Sequence, residues 1–299
     1  MTQILDGKKV KEHVLNALKE EVQTLKERTG KTPGLAVILV GNDPASKVYV
    51  GHKKKACESL GIQSFEYLLD ETSSEETLIQ LIEQLNNDDK VNGILLQLPL
   101  PKHMNSDKLL PLISAEKDVD GFHPTNVGKL LIGLDTFKSC TPHGVCELMD
   151  YYNIDTEGKH IVIIGRSNIV GKPLAAMLMQ KASPGNATVT VCHSRSKNMT
   201  ELTKQADILI AAIGKANFVT KDMVKENAIV IDVGINRIED NTHPKGGYLV
   251  GDVDYKDVFD HVSAITPVPG GIGPLTIAML MKNTVQAFKN VIQEVPSNA

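Results

Sequence analysis

The spacing of hydrophobic and polar residues divides the first half of the chain into alternating helices and strands. Three segments are predicted to be helical: residues 10–28, 46–60 and 74–85. Three short apolar runs are predicted to be buried strands: residues 35–40, 65–69 and 93–98. Ser73 and Glu76 form a possible capping box at the start of the third helix. This alternation predicts a parallel sheet with helices on its faces.

The same alternation restarts after a Gly- and Pro-rich crossover, residues 114–145. Strands are predicted over residues 161–164, 187–192, 208–213 and 228–233. Helices are predicted over residues 144–152, 173–181, 199–205 and 221–224. Repeated strand–helix units of this kind are typical of a doubly wound, Rossmann-like domain. Residues 239–248 are predicted to form a polar hairpin or loop.

The final predicted helix, residues 274–295, has an apolar face that needs a partner. We expect this face to pack on the first domain, which would make that domain discontinuous. The predicted architecture is α/β in two domains with a cleft between them. The first, catalytic domain is predicted to comprise residues 1–140 plus 275–299, and the Rossmann-like domain residues 141–274.

A glycine-punctuated turn follows the strand at residues 161–164. It contains Gly165, Ser167 and Gly171 in place of the usual three glycines, and a helix comes next. Backbone N–H groups at such a helix start bind phosphate. Arg166 adds positive charge to the turn, which favours NADP over NAD. Because glycine turns after strands are common, the turn alone does not identify the ligand.

The end of the following strand also favours NADP. NAD-binding domains usually place an acidic residue here to bind the ribose 2′-hydroxyl group. This chain has Ser194 and Arg195 instead. A carboxylate would repel a 2′-phosphate, whereas a hydroxyl and a guanidinium would bind it.

Composition and charge exclude several other classes of protein. The chain has 299 residues, 41% hydrophobic and 23% charged, with a net charge of −4. These values fit two globular domains and give no reason to expect a nucleic acid or a membrane as partner. The four cysteines lack zinc-type spacing, so no metal site is predicted. No signal peptide or apolar run of about 20 residues is recognisable, and a cytoplasmic location is expected.

Polar positions in the first half are candidates for catalysis, each with an ordinary structural alternative. Tyr49 and Lys53 share a helix face, and a desolvated lysine can exchange protons near neutral pH. Lys53 could instead be an exposed lysine, because most lysines remain exposed. Gln97 interrupts an apolar strand, where a buried amide needs partners, or it faces a turn. Asp120 could accept paired N–H bonds from a ligand or belong to an Asp-Gly turn.

A stretch near the end of the chain exposes backbone to a ligand. Gly270, Gly271 and Gly273 lie just before the final predicted helix and lack the side chains that would block close approach. The prolines between them stiffen the segment, which argues against the alternative of a flexible linker.

Six motifs in this order resemble the bifunctional methylenetetrahydrofolate dehydrogenase/methenyltetrahydrofolate cyclohydrolase family. They are Tyr49-Val-x-x-Lys53, Gln97-Leu-Pro-Leu-Pro101, Asp118-Val-Asp-Gly-Phe122, Gly165-Arg-Ser-x-Ile-Val-Gly-Lys-Pro173, Asp232-Val-Gly-Ile235 and Pro267-Val-Pro-Gly-Gly-x-Gly-Pro274. Together they cover nearly the whole chain. An ordered set is far more specific than any single motif.

The resemblance implies a role for each matching residue. Lys53 would promote hydration of the methenyl carbon, Tyr49 would stack on the folate, and Gln97 would bind the lysine and tune its proton state. Asp120 would anchor the pterin edge. The other implied substrate-binding residues are Leu98, Pro269, Gly270 and Gly271. The implied NADP-binding residues are Gly165, Arg166, Ser167, Gly171, Ser194, Arg195 and Ile235.

The resemblance implies NADP-dependent oxidation of 5,10-methylenetetrahydrofolate, then hydrolysis of the methenyl product to 10-formyltetrahydrofolate. It also implies a homodimer. One alternative is an NAD-linked monofunctional dehydrogenase of the same family. Another is a non-catalytic dinucleotide-sensing protein, against which the complete set Tyr49, Lys53, Gln97 and Asp120 argues.

Overall fold

The computed structural model describes residues 1–240, 242, 243 and 246–294. The chain forms two compact units. One, called here the 141–276 unit, consists of Thr141–Thr276 together with Met1–Glu12. The other, the 13–140 unit, consists of His13–Cys140 and the chain from Ile277 onward.

The 13–140 unit contains a three-stranded parallel sheet in the order β3-β2-β4. The elements of this part of the chain are α1 (Gly7–Thr29), β2 (Gly34–Val40), α2 (Pro44–Leu60), β3 (Gln63–Leu69), α3 (Glu75–Asn86), β4 (Gly93–Leu96), α4 (Ser106–Leu109), α5 (Pro124–Leu131) and α10 (Gly273–Glu294). A 3₁₀ turn spans Leu110–Leu112.

The core of this unit lies on both faces of β2, all of whose residues are buried. Successive strand side chains point to opposite faces. Leu35, Val37 and Leu39 therefore join one apolar cluster, with residues of α1, α2 and α10. Ala36, Ile38 and Val40 join the other, with residues of α3. A continuous apolar run is what a strand covered on both faces requires.

Side-chain caps fix where the helices of this unit begin. The Asp43 carboxylate accepts a hydrogen bond of 2.7 Å from the Ser46 backbone N–H at the start of α2. At α3 the cap is Ser74, whose hydroxyl accepts from the Thr77 N–H at 3.1 Å. The predicted capping box at Ser73 and Glu76 is therefore wrong: the N-cap is Ser74, one residue later.

A pair of variants tests the assignment of Ser74 as the N-cap of α3. Ser74→Ala should lower the free energy of unfolding by about 1 kcal/mol, because it leaves an N–H of the first turn unpaired. Ser73→Ala removes a hydroxyl one residue earlier and should change stability by less than about 0.5 kcal/mol. Urea unfolding of both variants measures the difference, and an equal loss would contradict the assignment of the cap.

The 141–276 unit contains a six-stranded sheet in the order β1-β11-β8-β7-β5-β6, with every pair parallel. Its elements are β1 (Gln3–Ile4), α6 (Cys140–Tyr151), β5 (His160–Ile164), α7 (Gly171–Leu178), β6 (Thr188–Cys192), α8 (Met199–Thr203), β7 (Ile208–Ala211), β8 (Ile229–Asp232), β9 (Asn236–Glu239), β10 (Gly247–Val250), α9 (Tyr255–Val258) and β11 (Ala264–Ile265). Further 3₁₀ turns span Lys221–Met223 and Phe259–His261.

The order of strands creates a switch point at β5. The chain passes from β5 to β6 on one side and then returns to β7 on the other. In open parallel sheets, ligands bind outside the carboxyl ends of the strands at such a point. The glycine turn that begins at Gly165 lies there, directly after β5.

Several elements differ from those predicted. The strands β1 and β11 were not predicted, because two residues are too few to show a period. Their parallel pairing draws Met1–Glu12 into the 141–276 unit, whereas the sequence pattern assigns residues 1–12 to the first domain. The crossover at residues 114–145 contains α5 and the start of α6.

Other differences are at element ends. A 3₁₀ turn replaces the helix predicted at residues 221–224. The predicted hairpin consists of β9 and β10, which pair antiparallel, while residues 241, 244 and 245 lie outside the described part. The predicted end of the last helix, Val295, also lies outside it. In the described chain, no helix is both long and apolar enough to span a bilayer.

Candidate active site

Lys53 and Gln97 form a direct hydrogen bond inside the 13–140 unit. The Lys53 side chain projects from α2 and the residue is only 8% exposed. Its Nζ atom donates to Gln97 Oε1 at 2.7 Å. Gln97 lies just beyond β4, and its Nε2 atom donates to the Leu98 carbonyl oxygen at 2.5 Å. The alternative of an exposed lysine therefore does not hold, whereas Gln97 bonds both the lysine and the turn at Leu98.

Burial and nearby charge act in opposite directions on the lysine. Burial lowers the pKa of Lys53, and the negative charge of Asp120 partly offsets this effect. Burial likewise raises the pKa of Asp120, against the effects of Lys53 and of a hydrogen bond from the Cys140 side chain. Burial also raises the pKa of the Cys140 thiol, so the thiol keeps its proton and can donate. The three groups form a weakly solvated cluster in which a neutral amine is accessible.

A second carboxylate, Asp118, holds the loop that carries Asp120. It is 3% exposed and accepts backbone N–H bonds from Phe122 at 3.1 Å and His123 at 2.8 Å. The Asn126 side-chain amide donates to it at 2.8 Å. Burial raises the pKa of Asp118 to about 6. Its bonds are all internal, so we assign it to the support of the loop.

Gly121 makes the turn after Asp120 possible. Its φ is +74°, and a Cβ atom there would lie 2.7 Å from the Lys138 carbonyl carbon. Asp120 thus lies in the Asp-Gly turn that was its structural alternative, and it also belongs to the lysine cluster.

Tyr49 lies one helical turn before Lys53 on α2 and is 40% exposed. An exposed ring beside a buried amine provides a flat surface on which an aromatic ligand can stack. Leu98 follows Gln97 and is half-buried. The 13–140 unit therefore brings Tyr49, Lys53, Gln97 and Asp120 together, although they are far apart in the sequence.

The glycine turn of the 141–276 unit is closely packed at the carboxyl end of β5. Gly165 has φ of +131°, and a Cβ atom there would lie 2.1 Å from the Ala212 carbonyl oxygen. A Cβ atom on Gly171 would lie 2.1 Å from the Gly165 carbonyl oxygen. Ser167 Oγ accepts a hydrogen bond from the Val170 N–H at 3.1 Å. Arg166 is exposed.

The neighbouring strand brings the second predicted cationic residue to the same edge. The register pairs Ile164 with Cys192, so the turns that follow β5 and β6 emerge side by side. Ser194 and Arg195 lie in the second turn and are exposed. The Arg195 backbone N–H donates to His193 Nδ1 at 3.1 Å. Residues 165–170 and 193–198 contain no carboxylate, which suits a phosphate-bearing ligand.

Two buried carboxylates, not singled out from the sequence as a pair, organise the loops after β7 and β8. Asp252 is fully buried and accepts backbone N–H bonds from Ile213 at 2.7 Å, Gly214 at 2.9 Å and Lys215 at 2.8 Å. Its own N–H donates to Asp232 at 3.0 Å. The segment Gly251-Asp-Val-Asp254 could have signalled this role, because acidic residues after glycine in loops commonly bind backbone N–H groups.

Asp232 is the other member of this pair. Its carboxylate also accepts from the Gly234 and Val253 N–H groups, at 2.9 and 2.8 Å. Burial raises the pKa of Asp232 to about 7. Ile235, one of the predicted cofactor-binding residues, comes directly after Gly234, whose N–H binds Asp232, and is 44% exposed. The pair positions the backbone from which Ile235 projects.

The segment around Gly270 is fixed by close backbone contacts rather than flexible. Gly270 has φ of +112°, and its carbonyl oxygen accepts the Gly7 N–H at 2.9 Å. A Cβ atom on Gly271 would lie 2.6 Å from the Pro267 carbonyl oxygen. Gly270 and Gly271 are buried, whereas Pro269 is exposed. All of these residues belong to the 141–276 unit.

Among the residues that the structure describes, no group of three or more His, Cys, Asp or Glu side chains could hold a metal ion. The four cysteines, Cys57, Cys140, Cys146 and Cys192, form no disulfide bond and are buried.

A parallel sheet with a glycine turn at its switch point defines the class of Rossmann-type nucleotide-binding proteins. Comparison with known families narrows this class. Residues 139–292 match the model "Tetrahydrofolate dehydrogenase/cyclohydrolase, NAD(P)-binding domain". Residues 5–120 match the model "Tetrahydrofolate dehydrogenase/cyclohydrolase, catalytic domain". The chain belongs to the tetrahydrofolate dehydrogenase/cyclohydrolase family, which confirms the resemblance seen in the sequence.

Individual relatives cover almost the whole chain. The Bifunctional protein FolD of Chlorobium chlorochromatii is 56% identical over 290 residues, which are 96% of this chain and 98% of the relative. The FolD structure from Campylobacter jejuni is 51% identical with a TM-score of 0.91, covering 97% of this chain and 100% of that one. The Trypanosoma brucei FolD structure, complexed with NADP and an inhibitor, is 35% identical with a TM-score of 0.92. The match covers 98% of this chain and 99% of that one.

Proposed function

We propose that the protein oxidises 5,10-methylenetetrahydrofolate with NADP and then hydrolyses the methenyl product to 10-formyltetrahydrofolate. Membership of the family and the bifunctional relatives support both activities. The single observation that carries the hydrolytic half is the buried Lys53 amine, bonded to Gln97 beside Asp120. A dinucleotide-sensing protein without catalysis would have no use for such a cluster.

The oxidation step needs positioning more than acid–base chemistry. The substrate is a bridged aminal, and the lone pairs of its two nitrogen atoms stabilise the cation that remains when hydride leaves. NADP, when bound, supplies the hydride acceptor. We propose that the pyrophosphate binds at the turn that runs from Gly165 through Ser167 to Gly171, at the start of α7, where the Gly165 N–H is itself used by the Cys192 carbonyl oxygen. Holding the reacting atoms in line is then the main contribution of the protein.

We propose that the 2′-phosphate of NADP binds to the cationic edge of the 141–276 unit. Arg166, Ser194 and Arg195 lie in the two adjacent turns after β5 and β6, and all are exposed. Arginine binds phosphate through a planar fork of donors. Ile235, exposed beyond β8, would contact the same cofactor through its apolar side chain.

The hydration step needs proton transfer, and we propose that Lys53 provides it. Water that adds to the methenyl carbon must lose a proton, and a neutral Nζ atom can accept it. Burial favours the neutral amine, and a cationic substrate would favour it further. Gln97 Oε1 holds the amine in place. We propose that Tyr49 stacks on the folate and that Asp120 accepts N–H bonds from the pterin edge.

We also propose that the protein is a cytoplasmic homodimer. Four buried cysteines that form no disulfide bond fit a reducing compartment, where disulfides are rare. The dimer is an expectation from the family resemblance. Light scattering of the purified chain checks it, and a monomer mass would remove it.

A spectrophotometric assay with methylenetetrahydrofolate tests both activities at once. With NADP, the methenyl absorbance should rise and then decay as hydrolysis proceeds. NAD should support a slower rise, because it lacks the phosphate that the cationic edge would bind. A rise without decay would indicate a monofunctional dehydrogenase, and a faster rise with NAD would remove the role proposed for Arg166 and Arg195. No rise with either cofactor would overturn the proposed function.

A further inference from the structure

Helix α10 carries one buried amide in an otherwise apolar face of the 13–140 unit. Asn283 is 4% exposed, and the neighbouring α10 residues Met279, Met281 and Val285 belong to the apolar core. Burying an amide costs free energy unless its donors find partners. The two N–H donors of Asn283 therefore need acceptors inside the protein.

Both amide hydrogens of Asn283 are directed at backbone beside the lysine cluster. Its Nδ2 atom donates to the Val119 carbonyl oxygen at 2.8 Å and to the Lys138 carbonyl oxygen at 2.9 Å. It also lies 3.8 Å from Cys140 Sγ. Val119 directly precedes Asp120, and Lys138 lies two residues before Cys140. One side chain thus joins the two segments that supply the ionisable neighbours of Lys53.

The proton transfer proposed for Lys53 does not itself involve the bonds from Asn283 to Val119 and Lys138. Asp118 and Asn126 support the Asp120 loop from within residues 118–126. Asn283 is distant in sequence and ties that loop to the segment ending at Cys140. Cys140 Sγ also donates to the Val119 carbonyl oxygen at 3.4 Å. Without Asn283, the side-chain bonds left between the two segments would include this weak thiol bond and the 2.7 Å bond that the Thr136 hydroxyl donates to Asn126 Oδ1.

We propose that Asn283 is a positioning residue for hydration of the methenyl group, because it holds Asp120 and Cys140 in place around the Lys53 amine. The inference rests on the proposed function. It concerns the cyclohydrolase step, since the oxidation step does not require proton transfer by Lys53. Asn283 is not expected to touch the substrate itself.

The sign of the effect on pH dependence follows from the groups around Lys53. Asp120 and Cys140 are the ionisable groups that act on it from the packed segments, and both favour its charged form. Asp118 acts on Asp120 in turn. If Asp120 moves away, the pKa of Lys53 falls further. The rising limb of the cyclohydrolase pH profile should then move to lower pH.

The test compares Asn283→Leu with Thr284→Val on the same helix. Leucine keeps the volume but removes both donors, and the cyclohydrolase kcat should fall about 10- to 100-fold, as expected for misplaced catalytic groups. The dehydrogenase kcat at saturating substrate should change less than about threefold, because that step needs no proton transfer by Lys53, whereas looser anchoring of the pterin by Asp120 should appear in its KM. Thr284 is fully buried and its hydroxyl donates to the Leu280 carbonyl oxygen at 2.8 Å, so its variant loses a buried bond without touching either segment.

The two activities of the wild-type protein test the proposed function. The role of Asn283 is tested only by the ratio of cyclohydrolase kcat to dehydrogenase kcat in each variant. Should Asn283→Leu fail to fold, Asn283→Ser releases the same carbonyl groups and leaves room for water. A selective loss of hydrolysis with the shifted pH limb supports the inference. Equal loss of both activities would overturn it. It would also be overturned if Asn283→Leu had the same ratio of activities and the same pH limb as Thr284→Val.

Discussion

Replacing Lys53 with methionine is expected to reduce hydration of methenyltetrahydrofolate by about 10³-fold or more, near the upper range for loss of a general base. Methionine fills a similar volume but cannot accept a proton. Hydride transfer should persist at a measurable fraction of the wild-type rate, because it requires no proton transfer from this amine. The assay is the decay of methenyl absorbance set against its rate of formation with NADP.

A matched control for this variant lies one residue further along α2. Lys54 has a 51% exposed side chain and forms an ion pair of 2.8 Å with Glu66. Lys54→Met should leave both activities within about twofold of wild type, because an exposed ion pair contributes little to stability. If Lys53→Met lowers both activities equally, the role assigned to Lys53 is wrong.

The wild-type pH profile provides a second check on the state of Lys53. Burial lowers the pKa of this amine, so the neutral form becomes available below the pH range of an ordinary lysine. Hydrolysis should therefore rise with pH along a limb that lies below the ordinary lysine pKa, and Lys53→Met should abolish that limb. A limb that persists in the variant would belong to another group.

The fold was largely predictable because hydrophobic periodicity reports burial directly. The apolar run at residues 35–40 corresponds to β2, whose alternate residues fill two cores. The short strand β1 was missed, since its two residues are exposed and owe their strand geometry to pairing with β11. A partner about 260 residues away leaves no local signal.

The chemistry of the site was less predictable than the fold. In sequence, Lys53 is one of three consecutive lysines, and only its spacing of four residues from Tyr49 separates it from Lys54. In the structure, what separates them is the partner: Gln97 for the buried amine and Glu66 for the exposed one. The spacing from Tyr49 made Lys53 a candidate but left an exposed lysine as the alternative, which the family resemblance argued against.

Residues that hold other residues in place were harder to predict from the sequence than the site residues themselves. Asp252 and Asn283 look ordinary in the sequence, because an acidic residue in a loop and an amide in a helix are both common. Their roles depend on which backbone groups the tertiary fold brings within 3 Å, such as the Ile213 N–H and the Val119 carbonyl oxygen. Local pattern does not contain that information.

Reversing the charge of Arg195 is expected to convert the preference for NADP into indifference or a preference for NAD. Arg195→Glu removes a guanidinium from the turn after β6 and places a carboxylate there, as NAD-binding domains do. A charge-assisted hydrogen bond contributes about 1.5–3 kcal/mol, and repulsion of the 2′-phosphate adds to its loss. The KM for NADP should rise about 10²-fold or more, since each 1.4 kcal/mol is a factor of about ten.

The control for this prediction tests whether net charge alone explains the change. Lys197→Glu reverses an exposed charge two residues further along the same turn. It should raise the KM for NADP by less than about threefold, because an exposed charge without direct contact is screened by salt within about 10 Å. The ratio of kcat/KM for NADP and NAD is measured for both variants.

The response to NAD separates recognition of the phosphate from general damage to the site. NAD lacks the 2′-phosphate, so Arg195→Glu should leave its KM unchanged or lower it as the new carboxylate binds the free ribose hydroxyl. An equal rise in KM for both cofactors would mean that Arg195 supports the turn rather than the phosphate. Arg166 would then be the remaining arginine in the two turns after β5 and β6, and Arg166→Glu would have to produce the switch.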